Sequence, residues 1–287
     1  MTENPRGRTG DIKIHLLLLL IALSIILGAL CLVLAAVVFV PAIGGQSARL
    51  APALMKSSED YPVPDLPPAP PSGSIVTITL SPSGQTIGES VRRIVAQGDR
   101  VRVDKPGKSE GSYCTVGYVQ PATAVAYTAG HCGDDGADVF NEQGDAIGVF
   151  RHSPSYTGDV GPGDVGYILL GDDVEVGANH YSGDGIVTGI AGSDQICVYG
   201  ATSKKVICGE LIAHRNDAVG LIHINAPVTG GDSGGPVWIP GRGVIGTIGF
   251  DYANSHTPLP VTGVTTFDAS ALAAAAVDRT KISPPTR

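Results

Sequence analysis

The stretch GGDSGGP at residues 230–236 places Ser233 close to two pairs of glycines. Glycine lets the backbone turn tightly and leaves the main-chain N–H groups uncovered. Two uncovered N–H groups beside a hydroxyl nucleophile can bind the oxyanion that forms during acyl transfer. The stretch is therefore either a glycine-rich turn or a nucleophile loop, and the distinction depends on a histidine and a carboxylate elsewhere in the chain.

A second stretch, TAGHC at residues 128–132, lies about 100 residues upstream and follows a short β-prone apolar run. A lone histidine is more often a surface or core residue than a catalytic one. The two stretches together, in this order, resemble the trypsin/chymotrypsin-like serine peptidases. The resemblance covers roughly residues 74–280. Within that family it points to the bacterial streptogrisin and α-lytic branch, which the segments at 114–119 and 196–209 also resemble.

The resemblance implies a catalytic triad of His131, Asp164 and Ser233. The family places its carboxylate just before a short apolar strand, and Asp164 precedes the run Val165–Leu170. Asp159 is the alternative, although Gly161 and Pro162 interrupt any strand after it. Ser233 would attack the substrate, His131 would accept its proton, and Asp164 would hold the imidazole in the correct tautomer.

The resemblance also assigns an oxyanion hole to the main-chain N–H groups of Gly231 and Ser233. Asp232 precedes the nucleophile, and we expect its carboxylate to be bonded internally, without an activation switch. The expected substrate is a protein or peptide, and neither a cofactor nor a metal is implied. The alternative function is a catalytically silent homologue that acts as an extracytoplasmic binding module.

Four of the five cysteines lie in the later part of the chain, and no C-x-x-C unit suggests zinc. Four cysteines allow three pairings. The family pattern implies Cys114 with Cys132 and Cys197 with Cys208. Two disulfides would place the domain in an oxidising compartment.

The composition favours an all-β fold. There are 39 glycines and 21 prolines, and about a dozen short apolar runs separated by turn residues follow residue 74. The resemblance implies two antiparallel six-stranded Greek-key β-barrels with a short C-terminal helix at 268–277. The net charge of −8, with no basic block, argues against nucleic acid as a partner.

The N-terminal part predicts one transmembrane helix. Residues 16–40 carry no charge, and a helix of that length spans about 37 Å, more than a bilayer core needs. Residues 1–15 are basic and would be a cytoplasmic tail. Residues 41–73 form a Pro-rich linker, so the domain at 74–287 would lie outside the cell membrane. Secretion after signal cleavage is the less favoured alternative.

The sequence carries little information on specificity. Pro227 occupies the position where trypsin-like members carry an aspartate, so a basic P1 residue is not expected. Gly249, Phe250 and Asp251 depart from the family pattern, and we expect a small or medium apolar P1 residue. The other histidines are interpreted as structural or surface residues; they are His152, His180, His214, His223 and His256.

Overall fold

The structure is a computed structural model, and it describes residues 61–105, 111–214, 221–252, 261–267, 272–276 and 278. The predicted cytoplasmic tail, the predicted helix at 16–40 and the linker up to residue 60 lie outside the described residues. So do His256 and the first residues of the C-terminal helix, and the side chains of His214 and Asp251 are not described. Within the described ranges, no helix is long and apolar enough to cross a membrane.

Sixteen strands occur in the described part of the chain, and they form three sheets. In chain order they are β1 (Gly73–Leu80), β2 (Thr86–Val95), β3 (Arg100–Val103), β4 (Ser112–Thr115), β5 (Tyr118–Gln120), β6 (Val125–Thr128), β7 (Asp138–Phe140), β8 (Ala146–His152), β9 (Gly166–Leu170), β10 (Val174–Val176), β11 (Gln195–Gly200), β12 (Lys205–His214), β13 (Leu221–Ile224), β14 (Pro236–Ile239), β15 (Gly243–Tyr252) and β16 (Val261–Thr266).

The second half of the domain forms a closed six-stranded barrel in the order β11-β12-β13-β16-β15-β14. Successive side chains of a strand point to opposite faces, so one face of each strand fills the barrel. The apolar core of the barrel contains Ile196, Val198, Ile222, Ile224, Val237, Ile245, Ile248 and Val264. The closed antiparallel barrel predicted for this half is confirmed.

The first half is an open sheet of seven strands rather than a closed six-stranded barrel. Its order is β4-β3-β7-β8-β9-β6-β5, so β4 and β5 lie at opposite ends. Only residues 116 and 117 separate these two strands in the chain, so their adjoining ends lie close together. The Thr115 N–H, at the end of β4, donates to the Ser233 carbonyl oxygen at 2.8 Å. The edge of β4 is thereby paired with the second half of the domain, at the predicted nucleophile.

Strand β9 shows why its sequence is a continuous apolar run. All five of its residues are buried. Ile168 and Leu170 lie in the core of the first sheet, whereas Tyr167 and Leu169 pack in a separate cluster with Val244 of β15 and Phe267. A strand that is buried on both faces has apolar side chains on both, so its sequence does not alternate between apolar and polar residues. The position of Asp164, two residues before β9, is therefore set by a strand between two cores.

A third sheet was not predicted. The hairpin of β1 and β2 extends from the domain, and β10 pairs with β2 in parallel. Both β2 and β10 escaped the sequence analysis because β2 contains glycine and three charged residues, while β10 has only three residues. The hairpin leaves Val76, Ile78 and Leu80 exposed.

The described end of the Pro-rich linker lies against the domain. Tyr61 packs on the cluster of Trp238 and the Cys197–Cys208 disulfide, and the Gln195 side-chain amide donates to the Pro62 carbonyl oxygen at 2.9 Å. Residues 61 and 62 of the predicted linker therefore contact the domain. At the other end of the chain, helical residues 272–276 pack beside β9, where Tyr167 donates to Asp278 at 2.5 Å.

Candidate active site

The turn that carries His131 follows β6 directly. Residues Gly130–Cys132 form a single 3₁₀ turn, in which Gly130 and Cys132 are buried. The disulfide between Cys114 and Cys132 links this turn to β4. The second disulfide joins Cys197 to Cys208, which are directly opposite each other on β11 and β12. Both pairs are those that the family resemblance implied.

Asp164 and His131 are brought together by strand pairing. Strands β6 and β9 are antiparallel, and Thr128 at the end of β6 pairs with Gly166 at the start of β9. The chain segments just beyond these residues must therefore meet. Asp164 accepts two hydrogen bonds there, one from the His131 main-chain N–H and one at His131 Nδ1, each 2.8 Å long.

The surroundings of this pair determine the histidine tautomer. Asp164 is 0% exposed, whereas the His131 side chain is 27% exposed. A carboxylate can only accept, so Nδ1 carries the hydrogen and Nε2 of the neutral ring is left as an acceptor. His131 is therefore arranged to accept a proton at Nε2. Asp159, the alternative carboxylate, is exposed, and no hydrogen bond joins it to His131 among the described residues.

The second half of the domain completes the burial of Asp164. A Cβ at Gly249 of β15 would lie 3.6 Å from Asp164 Oδ2, and Thr265 of β16 donates to the Gly161 carbonyl oxygen at 3.1 Å. Residue 249 therefore lies within van der Waals distance of the carboxylate. Asp164 consequently lies at the junction of the open sheet and the closed barrel.

Ser233 lies in the loop between β13 and β14, at the same junction. The next residue, Gly234, has φ of +83°. A Cβ at Gly234 would lie only 1.9 Å from Thr128 Oγ1 and 2.8 Å from the Ala129 nitrogen. No other residue type could approach so closely. The residue that follows Ser233 is thus packed against the two residues that begin the TAGHC stretch.

The proposed oxyanion hole would consist of the main-chain N–H groups of Gly231 and Ser233. Gly231 has φ of +92°, and within the part of the chain that the structure describes, the N–H groups of Gly231 and Ser233 donate to no protein acceptor. The carbonyl oxygens of both residues are occupied, by Thr115 Oγ1 at 2.9 Å and by the Thr115 N–H at 2.8 Å. These two carbonyl groups therefore help to anchor the loop, while the N–H groups of Gly231 and Ser233 stay available.

Asp232 has a different role from its neighbour. It is 0% exposed and accepts three main-chain N–H groups, those of Thr202 and Ser203 at one oxygen and that of Thr229 at the other. These bonds are 2.9–3.0 Å long. The carboxylate is thus bonded internally, as expected, and it fixes the nucleophile loop to the turn between β11 and β12.

The residues near the expected specificity pocket are mostly apolar. The Phe250 ring lies over Gly263, where a Cβ would come within 2.5 Å of the ring, and it meets His223 edge-on at a centroid distance of 6.3 Å. Thr262 is fully buried and donates to the Ala226 carbonyl oxygen. Pro227, which occupies the position of the trypsin-like aspartate, is exposed.

One cluster near the site has the residue types of a metal centre. Cys114, His131 and Cys132 place their ligand atoms within 4.8 Å of one another. The two sulfurs are joined in a disulfide, however, and only a free thiolate is a strong metal ligand. The cluster is therefore a histidine next to a disulfide.

In structure, the chain is similar to bacterial serine proteases. Cellulomonas bogoriensis chymotrypsin is 22% identical, with a TM-score of 0.47 over 63% of this chain and 96% of that chain. A Nocardiopsis protease is 20% identical, with a TM-score of 0.46 over 60% and 92%. Thermobifida fusca protease A is 20% identical, with a TM-score of 0.45 over 60% and 91%.

In sequence, no protein-family model matches the chain. An uncharacterised protein of Mycobacterium tuberculosis is 30% identical over 145 residues. A protein from a second strain of that species matches to the same extent. The match covers 46% of this chain and 63% of the length of each relative.

Two side chains beside the histidine turn were not predicted as part of the site. His152 Nε2 lies 3.1 Å from the Gly130 carbonyl oxygen and 2.8 Å from that of Gly133. Tyr156 packs on the ring of His152, and burial, followed by the charges of Asp164, Asp159 and Asp134, raises the pKa of Tyr156. Neither residue belongs to a local motif, so only the folded sheet brings them to the turn.

Proposed function

We propose that this protein is a serine endopeptidase that hydrolyses peptide bonds through an acyl-enzyme. The observation that carries the proposal is the pairing of buried Asp164 with half-buried His131, at the junction that also holds the Ser233 loop. A fully buried carboxylate bonded to a histidine on the protein surface is typical of a general base that is held in one tautomer.

The residues would divide the work as follows. His131 Nε2 accepts the proton of Ser233 Oγ, which then attacks the scissile carbonyl carbon. The developing oxyanion is bound by the N–H groups of Gly231 and Ser233. His131 then donates its proton to the leaving amine, and a water molecule hydrolyses the acyl-enzyme by the same steps. Asp164 stabilises the imidazolium throughout.

A peptide-library digest tests the proposal. The full chain, purified in detergent, is incubated with the library beside its Ser233→Ala variant, and products are identified by mass spectrometry. We expect cleavage by the wild type only, with small or medium apolar residues enriched at P1. An intact library with both proteins, in a folded wild type, would favour the catalytically silent binding module instead.

We also propose that residues 16–40 anchor the protein in the cell membrane, with the catalytic domain outside. The proposal is supported by the length of the uncharged run and by the basic residues that precede it. Protease added to intact cells should digest the domain and spare an epitope tag at the N-terminus. A mature protein that lacks residues 16–40 in the culture medium would show secretion instead.

A further inference from the structure

His152 ends β8 and lies beside the histidine turn. Strands β8 and β9 are antiparallel, and His152 pairs with Gly166, two residues after Asp164. The imidazole of His152 and the carboxylate of Asp164 therefore reach the Gly130–Cys132 turn from neighbouring strands. The Asp164 carboxylate accepts from a main-chain N–H group of this segment, whereas the His152 imidazole lies next to main-chain carbonyl oxygens.

The His152 ring bridges the carbonyl groups on either side of His131. Its Nε2 lies 3.1 Å from the Gly130 oxygen and 2.8 Å from the Gly133 oxygen. Carbonyl oxygens only accept hydrogen bonds, so Nε2 must carry a hydrogen, which the two acceptors share. Gly130 immediately precedes His131, and Gly133 follows it by two residues. The bridge therefore encloses the turn at both ends.

The His152 ring is itself held firmly in this position. It meets Phe150 edge-on at 5.3 Å and packs on Tyr156 at 4.4 Å between ring centroids. Its own main-chain N–H donates to Asp135 at 3.0 Å. Tyr156 also covers the turn directly, because a Cβ at Gly130 would lie 2.6 Å from the Tyr156 ring. The ring that carries the bridging donor is thus in contact with two aromatic side chains.

We propose that His152 is a positioning residue for the catalytic histidine. Asp164 fixes the His131 main-chain N–H, and His152 fixes the carbonyl oxygens of Gly130 and Gly133, so two side chains together hold three main-chain atoms of one short turn. The orientation of the His131 ring depends on this main chain, and misplacement of a catalytic group by about 1 Å can lower a rate by about 10². The inference rests on the proposed peptidase function.

Two substitutions separate the effect of the His152 N–H donor from the effect of the packing of its ring. His152→Phe keeps an aromatic ring between Phe150 and Tyr156 but removes the N–H donor. His152→Gln loses the stacking but places an amide N–H near the position of the imidazole Nε2. His180→Phe serves as the control, because His180 packs edge-on against Tyr181 and makes no contact with the turn among the described hydrogen bonds.

The experiment measures kcat and KM of the full-length variants on a peptide cleaved by the wild type. We expect His152→Phe to lower kcat by about 10- to 100-fold with KM within about twofold, and His152→Gln to restore most of kcat. Amide hydrogen exchange at residues 129–134 should be faster in His152→Phe and close to the wild-type rate in His152→Gln. The His180→Phe control should match the wild type in both measurements.

Two outcomes would overturn the positioning role while leaving the peptidase function intact. One is a wild-type kcat in His152→Phe, together with unchanged exchange of the turn. The other is an equal loss of kcat in both His152 variants that parallels their loss of thermal stability. This result would mean that His152 acts only through its packing. A folded wild-type protein that cleaves no peptide would instead overturn the proposed function itself.

Discussion

Asp164 and Asp232 are both fully buried aspartates at the junction of the two halves of the domain, yet their partners differ in kind. Asp232 accepts three main-chain N–H groups, all of which are permanent parts of loops. Asp164 accepts one main-chain N–H and one imidazole nitrogen of a partly exposed residue. The same buried carboxylate therefore has a structural role in one place and, in the proposed mechanism, orients the catalytic base in the other.

The difference shows what distinguishes a functional buried charge from a structural one. A charge that is removed from water must be paired or fully hydrogen-bonded. Asp232 is satisfied by groups that cannot leave or change charge, so it can only hold the Ser233 loop in place. Asp164 forms one of its two hydrogen bonds with a side chain that gains and loses a proton in the proposed mechanism. Substituting asparagine at each position separates the two roles.

Asp164→Asn should give the largest effect, a fall in kcat of about 10⁴. A fall of about 10⁴ is the effect of the corresponding substitution in the Ser-His-Asp triad of serine proteases. The asparagine amide would donate to Nδ1 and force His131 into the wrong tautomer. Peptide hydrolysis and thermal denaturation of the full chain measure the two effects. A loss of activity that simply tracks unfolding would contradict the assigned role.

Asp232→Asn should act mainly on stability. One of the three N–H donors would face the new amide instead of an acceptor, and a buried donor left without a partner costs about 1–3 kcal/mol. We expect the free energy of unfolding in urea to fall by about that amount, with kcat well above that of Asp164→Asn. If the two variants lose kcat equally at full stability, Asp232 takes part in the chemistry.

Asp99 adds a third environment to the comparison, because its pKa is raised to about 6, chiefly by burial. The bonds from Ser72 and from the Ala96 N–H lower this pKa, and only partly offset the burial. A folded-state pKa above the unfolded value means that the contribution of Asp99 to stability is fully present below about pH 4. It is lost as the pH rises through about 6, by at most about 3 kcal/mol.

The Asp99→Asn variant tests this pH dependence. Urea denaturation between pH 4 and 7 should show a smaller decrease of stability with rising pH in Asp99→Asn than in the wild type. Parallel stability curves for the two proteins would mean that folding does not raise the pKa of the Asp99 carboxyl.

Asp159→Asn should give the smallest effect of the four. Asp159 is exposed and belongs to the same loop as Asp164, so it is the matched control for a carboxylate near the site. Surface substitutions usually change stability by less than about 0.5 kcal/mol. We expect kcat and KM within about twofold of the wild type. A fall in kcat close to that of Asp164→Asn would reverse the assignment of the two aspartates.

The parts of the molecule that the sequence predicted are those that local signals determine. The TAGHC and GGDSGGP stretches and the apolar run of β9 each lie within a few residues of sequence. The short apolar runs and turns predicted an all-β fold, whereas the closed barrel and the two cysteine pairs were implied by the family resemblance that those stretches carry. Asp164 could be preferred over Asp159 because Asp164 stands directly before a strand.

The parts that were missed depend on pairings between distant segments. Thr115, at the end of β4, bonds to Ser233, more than a hundred residues away. The partners of Asp232 at Thr202 and Ser203 come from another hairpin turn. His152 reaches the turn only through the register of β8 with β9. None of these contacts leaves a pattern in the local sequence.

Covalent labelling of Ser233 tests the central claim most directly. The full-length wild type is treated with a fluorophosphonate probe, digested, and examined by mass spectrometry, beside Asp164→Asn and Asp232→Asn under conditions where all three are folded. We expect Ser233 to be the single modified residue in the wild type. Labelling of Asp164→Asn should be slower by orders of magnitude, whereas Asp232→Asn should be clearly labelled. A folded wild type that stays unmodified, or that is modified at another residue, would contradict the claim.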